Sequence, residues 1–372
     1  MASARLHLDG DPIADADALI AAGRAGEAVE LLERWHAAGR GGVLLQTARV
    51  HALIAADDTQ AALAVAREAS ALYPGIATMA ITLGEALLAC GHLATAIGEF
   101  QRALRLDPHS SLARYRLGCT WLAAGEADKA AEAFAEIPPD AAPDGLAEKI
   151  AEIAAMRVRP RSDPRYVRHL FDQFSGDYDA RMLGQLGYGA PQILRNLAEL
   201  IGLFQRGPLA ILDLGCGTGL GGAAFADMAA LLDGVDLSPG MVAKARERGI
   251  YDSLRVDDLE TALSGEGRNY DLLLAADTLV YLGDLAPLFA AAANRLVPGG
   301  VFLFTVERND GAGYALGPKR RWTHSEAYLR VQAEAAGFEI AGLLECHPRT
   351  EAGVAVEGYV VALERMVGER TQ

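Results

Sequence analysis

Residues 211–222, ILDLGCGTGLGG, place Gly215, Gly217 and Gly219 between a strand-forming run and a helix-forming one. This spacing lets the backbone turn sharply and approach a ligand, and the helix N-terminus that follows favours negative charge. Gly217, Gly219 and Gly222 also satisfy GxGxxG, a fingerprint that is weak alone. The next apolar run ends in GVDLSPGM, with Asp236 at its C-terminal end, where a carboxylate can accept from both hydroxyls of a ribose.

A second group lies in 307–329, ERNDGAGYALGPKRRWTHSEAYL, which gathers Lys319, Arg320, Arg321 and His324. The planar fork of Arg321 could clamp a carboxylate or phosphate. His324 could serve as a base, with an ordinary pKa near 6.5. Lys319 and Arg320 read as solvated surface charge. Arg349 and Glu351 follow in CHPRTEAG. His347 beside Cys346 could form a nucleophile pair, although a strand-end Cys there reads better as core. The cysteines, Cys90, Cys119, Cys216 and Cys346, form no CxxC pair, and the remaining histidines show no ligand spacing. No metal is expected, and no disulfide framework.

The elements that must position these residues alternate. Apolar runs at 209–215, 231–237, 252–258, 270–277, 300–307, 339–346 and 356–364 predict seven strands, with helical stretches between most of them. The first five read as buried parallel strands with crossover helices, and the last two as an antiparallel pair at the sheet edge. The predicted class is α/β and Rossmann-like.

ILDLGCGTG resembles motif I of the class I S-adenosylmethionine (SAM) methyltransferases. That resemblance implies that Gly215, Gly217 and Gly219 wrap the methionine part, with Asp213 holding its amino end. It implies Asp236 on the ribose and Met241 on the adenine face. Asp258, or Asp257 one register step earlier, would meet the exocyclic amine and the Leu259 N–H a ring nitrogen. Asp277 and Tyr281, in DTLVY, would lie beside the reactive methyl, which makes Tyr281 a candidate catalytic residue with Arg321 and His324. RLVPGGVFLF (295–304) matches the helix–turn–strand that follows. FDQFSGDYDARM (171–182) and LGYGAP (186–191) resemble the segment that folds over the cofactor in small-molecule methyltransferases, with Tyr178 reaching the carboxylate end and Ser175 where Ala is usual. The resemblance covers about residues 165–366. Two other readings stay open. One is an NAD(P)-binding oxidoreductase, against which SPGM and Asp258-Leu259 speak. The other is an adaptor that binds SAM without turnover.

The N-terminal half is built differently. In residues 77–110, Leu83, Gly84, Ala96, Phe100, Ala103 and Pro108 occupy positions that recur after a shift of 34 as Leu117, Gly118, Ala130 and Phe134. A shift back finds Ala62, Ala69 and Pro74, and a further one Ala28. This resembles tetratricopeptide (TPR) repeats, whose period is 34. Small residues let paired helices approach, Phe100 and Phe134 fill space between units, and the prolines end second helices. The expected division is a repeat domain over 1–157, a linker over 158–165 marked by Pro160 and Pro164, and a methyltransferase domain over 166–372. The whole resembles bacterial TPR repeat-containing methyltransferases, a group defined by sequence.

The formal net charge is −15 and no basic block stands out, so nucleic-acid binding is not expected. No apolar run reaches the length of a membrane span, and the first twenty residues carry Asp where a leader would be apolar. A cytoplasmic protein is expected, with a peptide or protein partner of some basic character on the repeat face and an acceptor that is a small molecule or a protein.

Overall fold

The 34-residue recurrence folds as pairs of helices. The computed structural model describes residues 11–184, 186–264, 267–317 and 319–367, so the first half of the N-terminal segment read for a leader lies outside the described residues. The chain divides into two units, Met1–Val158 and Arg159–Gln372.

In the first unit the helices are α1 (Pro12–Ala21), α2 (Ala25–Ala37), α3 (Val43–Ala55), α4 (Thr59–Leu72), α5 (Ala77–Ala89), α6 (Leu93–Leu106), α7 (Ser111–Ala123), α8 (Ala127–Ala135) and a closing α9 (Leu146–Arg157). Helices α3, α5 and α7 begin 34 residues apart, as do α2, α4, α6 and α8. Gly84 is where α5 lies closest to α6: a Cβ there would come within 2.5 Å of the Phe100 ring. Gly118 stands in the same relation to Phe134. The two phenylalanines therefore fill the space inside a helix pair, against its glycine, and not the space between pairs as expected. Ala62, Ala96 and Ala130 are fully buried at equivalent positions, which is why only small residues recur there.

The second unit begins earlier than the sequence suggests. Residues 158–165 were expected to be a linker, yet Pro160 O accepts from the N–H groups of Gly283 and Asp284, and Ser162 N–H donates to Tyr281 O. Arg161 also bridges to Leu282. The prolines interrupt the helix without freeing the chain.

Then come α10 (Pro164–Phe174), α11 (Tyr178–Gly184), α12 (Ala190–Leu200), β1 (Leu209–Leu214), α13 (Leu220–Phe225), β2 (Ala229–Asp236), α14 (Pro239–Glu247), β3 (Ser253–Val256), α15 (Leu259–Ser264), β4 (Tyr270–Ala275), α16 (Ala286–Arg295) and β5 (Leu296–Arg308). They continue as β6 (Tyr314–Leu316), β7 (Trp322–His324), α17 (Glu326–Ala335), β8 (Phe338–Cys346), β9 (Thr350–Glu351), β10 (Val354–Ala355) and β11 (Gly358–Arg365). The sheet order is β3-β2-β1-β4-β5-β11-β8. The first five strands run parallel, and β11 is antiparallel to both β5 and β8. All seven expected strands are present, but the sheet has nine among the described residues. The additional pair, β6 and β7, attaches to the end of β5, and each strand is too short to show a period in sequence.

The sheet is buried on both faces. Leu212, Leu273, Phe302 and Phe304 belong to one apolar cluster, and Ile211, Leu272, Leu274 and Leu303 to the other. The order reverses at β1, whose neighbours are β2 and β4, so the loop after β1 opens at the topological switch point. No helix among the described residues is long and apolar enough to cross a membrane.

Candidate functional site

A cleft of about 640 Å³, counting its open mouth, lies at the C-terminal ends of β1, β2, β3 and β4. Its lining includes Gly215, Gly217, Asp236, Asp258, Asp277 and Tyr281. A smaller hollow of about 290 Å³ adjoins it, lined by Asp213, Cys216, Thr218 and Tyr188 and sharing Tyr178, Gly215 and Gly217.

The glycine loop takes its shape from β2. Gly215 and Cys216 donate their N–H groups to Val235 O at 2.8 and 3.0 Å. Gly215 and Gly217 have φ of +70° and +54°, a region costly for any side chain. A Cβ on Gly215 would collide with Thr278, whereas one on Gly217 would meet nothing within 4 Å and project into open space.

Asp236 is fixed by two backbone donors. Gly217 N–H reaches Oδ2 at 2.9 Å and Ser238 N–H reaches Oδ1 at 2.8 Å. Each oxygen keeps lone-pair capacity for the cleft. Burial pushes the carboxyl up to about 6, opposed by those two N–H groups. Asp213 is more deeply buried. Its Oδ2 accepts from Tyr251 Oη at 2.7 Å, and burial pushes it up to about 7.

Helices α10 and α11 cover the cleft. Asp172 accepts from Ser238 Oγ, and Asp179 accepts from Thr218 Oγ1 and from Arg248. These contacts bring Val167, Phe171 and Tyr178 into the lining. Phe171 meets Tyr178 and Tyr281 edge-on, at ring separations of 6.1 and 5.6 Å. Burial raises the Tyr178 and Tyr281 hydroxyls, the latter to about 12, so both stay protonated at neutral pH.

Asp277 sits in the left-handed region with φ +57°, a strained place for a residue with a side chain. Two contacts hold it. Its N–H donates to Thr305 Oγ1 at 2.9 Å, and Arg349 donates to its carboxylate. Arg349 also donates to Glu307 and Glu351, and Glu351 accepts in addition from Arg321 and Lys319. Burial works to raise the Glu351 carboxyl, but these three cations hold it down at about 2. Burial raises the Asp277 carboxyl, and Arg349 and Arg321 oppose that rise.

The family described as Methyltransferase domain matches residues 211–300, and the family described as Tetratricopeptide repeat matches 47–111 and 81–145. The ubiquinone biosynthesis O-methyltransferase of Bordetella avium is 31% identical over 185 residues, which covers 43% of this chain and 75% of that protein. The protein of the same name from Thiobacillus denitrificans is 35% identical over 150 residues, covering 35% and 63%. The crystal structure of magnesium protoporphyrin IX methyltransferase from Synechocystis with bound SAH, S-adenosylhomocysteine, aligns at 21% identity and a TM-score of 0.43, over 54% of this chain and 99% of that one.

The chain belongs to the class I SAM-dependent methyltransferases.

The cleft of this methyltransferase suits SAM on three counts. Gly217 leaves open the space a side chain would fill. Asp236 is aimed and only half committed. Asp258 adds a second carboxylate to the lining, just beyond the end of β3. When bound, SAM supplies an electrophilic methyl on a sulfonium. The residues that would hold it are Tyr178, Asp213, Gly215, Gly217, Asp236, Asp258 and Leu259, with Asp277 beside the methyl, and all of them line one hollow or the other.

Two expected contacts of the methyltransferase lie elsewhere. Met241 is fully buried at the start of α14, its N–H bound to Ser238 Oγ, and it does not line the cleft. Leu237 and Leu259 do. Gly219, the N-cap of α13, faces Arg248 and Tyr251.

Two expected catalytic roles also give way. His324 is fully buried, with Nε2 at 3.0 Å from Gly283 O, and burial holds its pKa down at about 4. It lies at the end of β7 and does not line the cleft. It cannot take a proton from a substrate there. Arg321 is not free to clamp an anion, because it donates to Glu307 and Glu351. Arg349, noted in sequence only as a loop charge, instead touches Asp277. Arg161 carries no recognisable site signal in sequence, and Phe171 and Tyr188 stand out only as members of the segments expected over the cofactor.

Proposed function

We propose that this methyltransferase transfers the methyl of SAM to an oxygen of a neutral acceptor built on an aromatic ring. The observation that carries this reading is the charge state of the cleft. The basic groups beside it, Arg161, Arg321 and Arg349, are each paired with two or more carboxylates. None is left over for an acidic acceptor. The wall facing Asp277 is Phe171, Tyr178 and Tyr281, which suits a ring in an edge-on or offset arrangement. The relatives' name, O-methyltransferase, supports oxygen as the acceptor atom.

In this reading Asp277 accepts the proton that the acceptor hydroxyl gives up, and Arg349 holds the carboxylate in place. Tyr281, protonated throughout, donates a hydrogen bond to the acceptor oxygen. Helices α10 and α11 exclude water. Asp236 orients the ribose, and Tyr178 the carboxylate end. We further infer that the repeat unit recruits a partner, since stacked helix pairs present an extended face for a peptide or helix.

The test is a competition with the full-length protein and methyl-labelled SAM. A simple phenol, a catechol and a benzoate of equal ring size are offered together. Label on the neutral rings and little on the benzoate supports the reading. Preferred methylation of the benzoate contradicts it.

A further inference from the structure

Gly219 and Gly222 belong to the glycine pattern that follows β1, yet neither lines the cleft or the smaller hollow. Both face Tyr251, in the loop between α14 and β3. A Cβ on Gly222 would come within 2.2 Å of the Tyr251 hydroxyl, and one on Gly219 within 3.1 Å of the ring. A Cβ on Gly234, in β2, would lie 2.9 Å from the opposite ring edge. These glycines leave room for one aromatic side chain. The loop that carries it is also fixed: Asp252 N–H donates to Leu232 O and Leu232 N–H donates back to Asp252 Oδ2, both at 2.8 Å.

This packing delivers a hydrogen bond. Gly234 is the register partner of Asp213 between β2 and β1. The ring passes over Gly234, and its hydroxyl donates to Asp213 Oδ2 at 2.7 Å. Burial and the adjacent Asp213 raise the Tyr251 hydroxyl far above its usual range, so it stays a donor. Asp213 lines the smaller hollow, and the groups that oppose the rise caused by its burial are Tyr251 and the Gly222 N–H, neither of them a cation. A carboxylate buried without a counter-charge costs free energy, and a ligand that brings a cation removes part of that cost. The hollow shares Gly215, Gly217 and Tyr178 with the cleft, so a ligand in the cleft can extend a cationic group into it.

We propose that Tyr251 is a positioning residue for the cofactor: its hydroxyl orients the Asp213 carboxylate and supports its charge, so that Asp213 accepts from the amino group of SAM. The inference rests on the SAM reading of the cleft. Hydrogen bonds to an ionised acceptor are short and strong, so one phenol hydroxyl suffices to aim the carboxylate. Tyr251 itself touches no part of the cofactor. Phe at this position keeps the ring against its glycines and removes the donor alone.

Calorimetry on the full chain tests this with SAH and its deamino analogue, in which hydrogen replaces the amino group of the homocysteine end. The wild type should bind SAH about tenfold or more tightly than the analogue, as expected for a hydrogen bond between charged groups. Tyr251→Phe should weaken SAH about tenfold and change the analogue by less than about twofold. Asp213→Asn should show the same selective loss, and adding Tyr251→Phe to it should cost nothing further, because the two residues act as one unit. Equal weakening of both ligands in Tyr251→Phe, or a further loss in the double variant, would make Tyr251 a structural prop and overturn the inference. Wild-type affinity for SAH in Tyr251→Phe would overturn it as well. A wild type that binds SAH no better than the analogue would remove the Asp213 contact, and the inference with it, while leaving the SAM reading in place. A wild type that binds neither ligand would overturn the SAM reading itself.

Discussion

Arg349 donates to the carboxylate of Asp277 from 72 positions further along the chain, with an arginine side chain only 2% exposed. The pair joins the loop after β4 to the segment after β8. It holds a carboxyl in the wall of the cleft, on a residue whose φ is +57°. Removing one partner of such a buried pair costs more than the pair contributes, because the other charge is stranded.

Asp277→Asn keeps the volume and removes the proton acceptor. Its kcat should fall by roughly 10²–10⁴, the usual contribution of a positioned base. SAH affinity should stay within a few-fold. Single-turnover rates and calorimetry on one preparation check this. Unchanged kcat would move the base elsewhere.

Asp236 makes cofactor binding sensitive to pH. Its carboxyl is raised to about 6 by burial and must be ionised to accept from two hydroxyls. SAH affinity should be full above that pH and fall as the pH drops through it, by up to tenfold per unit. The stability of the free protein moves oppositely through this group, since the folded state binds the proton more tightly than an unfolded Asp near 3.9 does. Asp236→Asn should flatten the affinity profile at a weakened level. Asp236→Ala should weaken SAH by about 2–3 kcal/mol, or 30- to 150-fold. An unaltered profile in Asp236→Asn would rule out the assignment.

His324 should matter for stability and not for the chemical step. Its folded pKa, about 4, lies below its ordinary 6.5, so the unfolded chain binds the extra proton. The stability is full above pH 6.5 and is lost as the pH falls towards 4, by about 3 kcal/mol in total. Denaturant melts over this range should show a shallower slope for His324→Asn than for the wild type. The kcat profile near neutral pH should not shift. A lost neutral-pH inflection in kcat would restore the histidine as a base.

Gly84→Ala probes the repeat packing. The added methyl falls within 2.5 Å of Phe100, which has no room to retreat because it is fully buried. Overpacking of this kind costs about 1–3 kcal/mol, against a helix-propensity gain of about 1 kcal/mol. The melting temperature of the repeat transition should drop, and Phe100→Leu in the same chain should recover part of it. A higher melting temperature in the single variant would contradict the helix-pair geometry.

The sequence was legible where residues close in the chain act together. Gly215 to Gly219, Asp236 with Ser238, and the recurrence from Gly84 to Gly118 are local patterns that the fold realises directly. It was illegible where the fold brings distant residues to one point. Arg161 meets Asp258 across 97 positions, and nothing beside Arg161 marks it as different from other linker arginines. His324 failed for the complementary reason. Its neighbours Arg321 and Trp322 look like a site, but pairing of β7 with the end of β5 turns the imidazole into the core. Burial of a single side chain in a three-residue strand has no periodic signature.

The account stands most directly on where the methyl goes. Full-length protein, methyl-labelled SAM and a cell extract are incubated, and the products are separated into metabolite and protein fractions. The labelled product is then solved by mass spectrometry and NMR. The account predicts label in the metabolite fraction, as a methyl ether on the ring of a neutral aromatic compound, lost in Asp277→Asn. Label confined to protein, or a methyl found on nitrogen, carbon or a carboxylate, would contradict it.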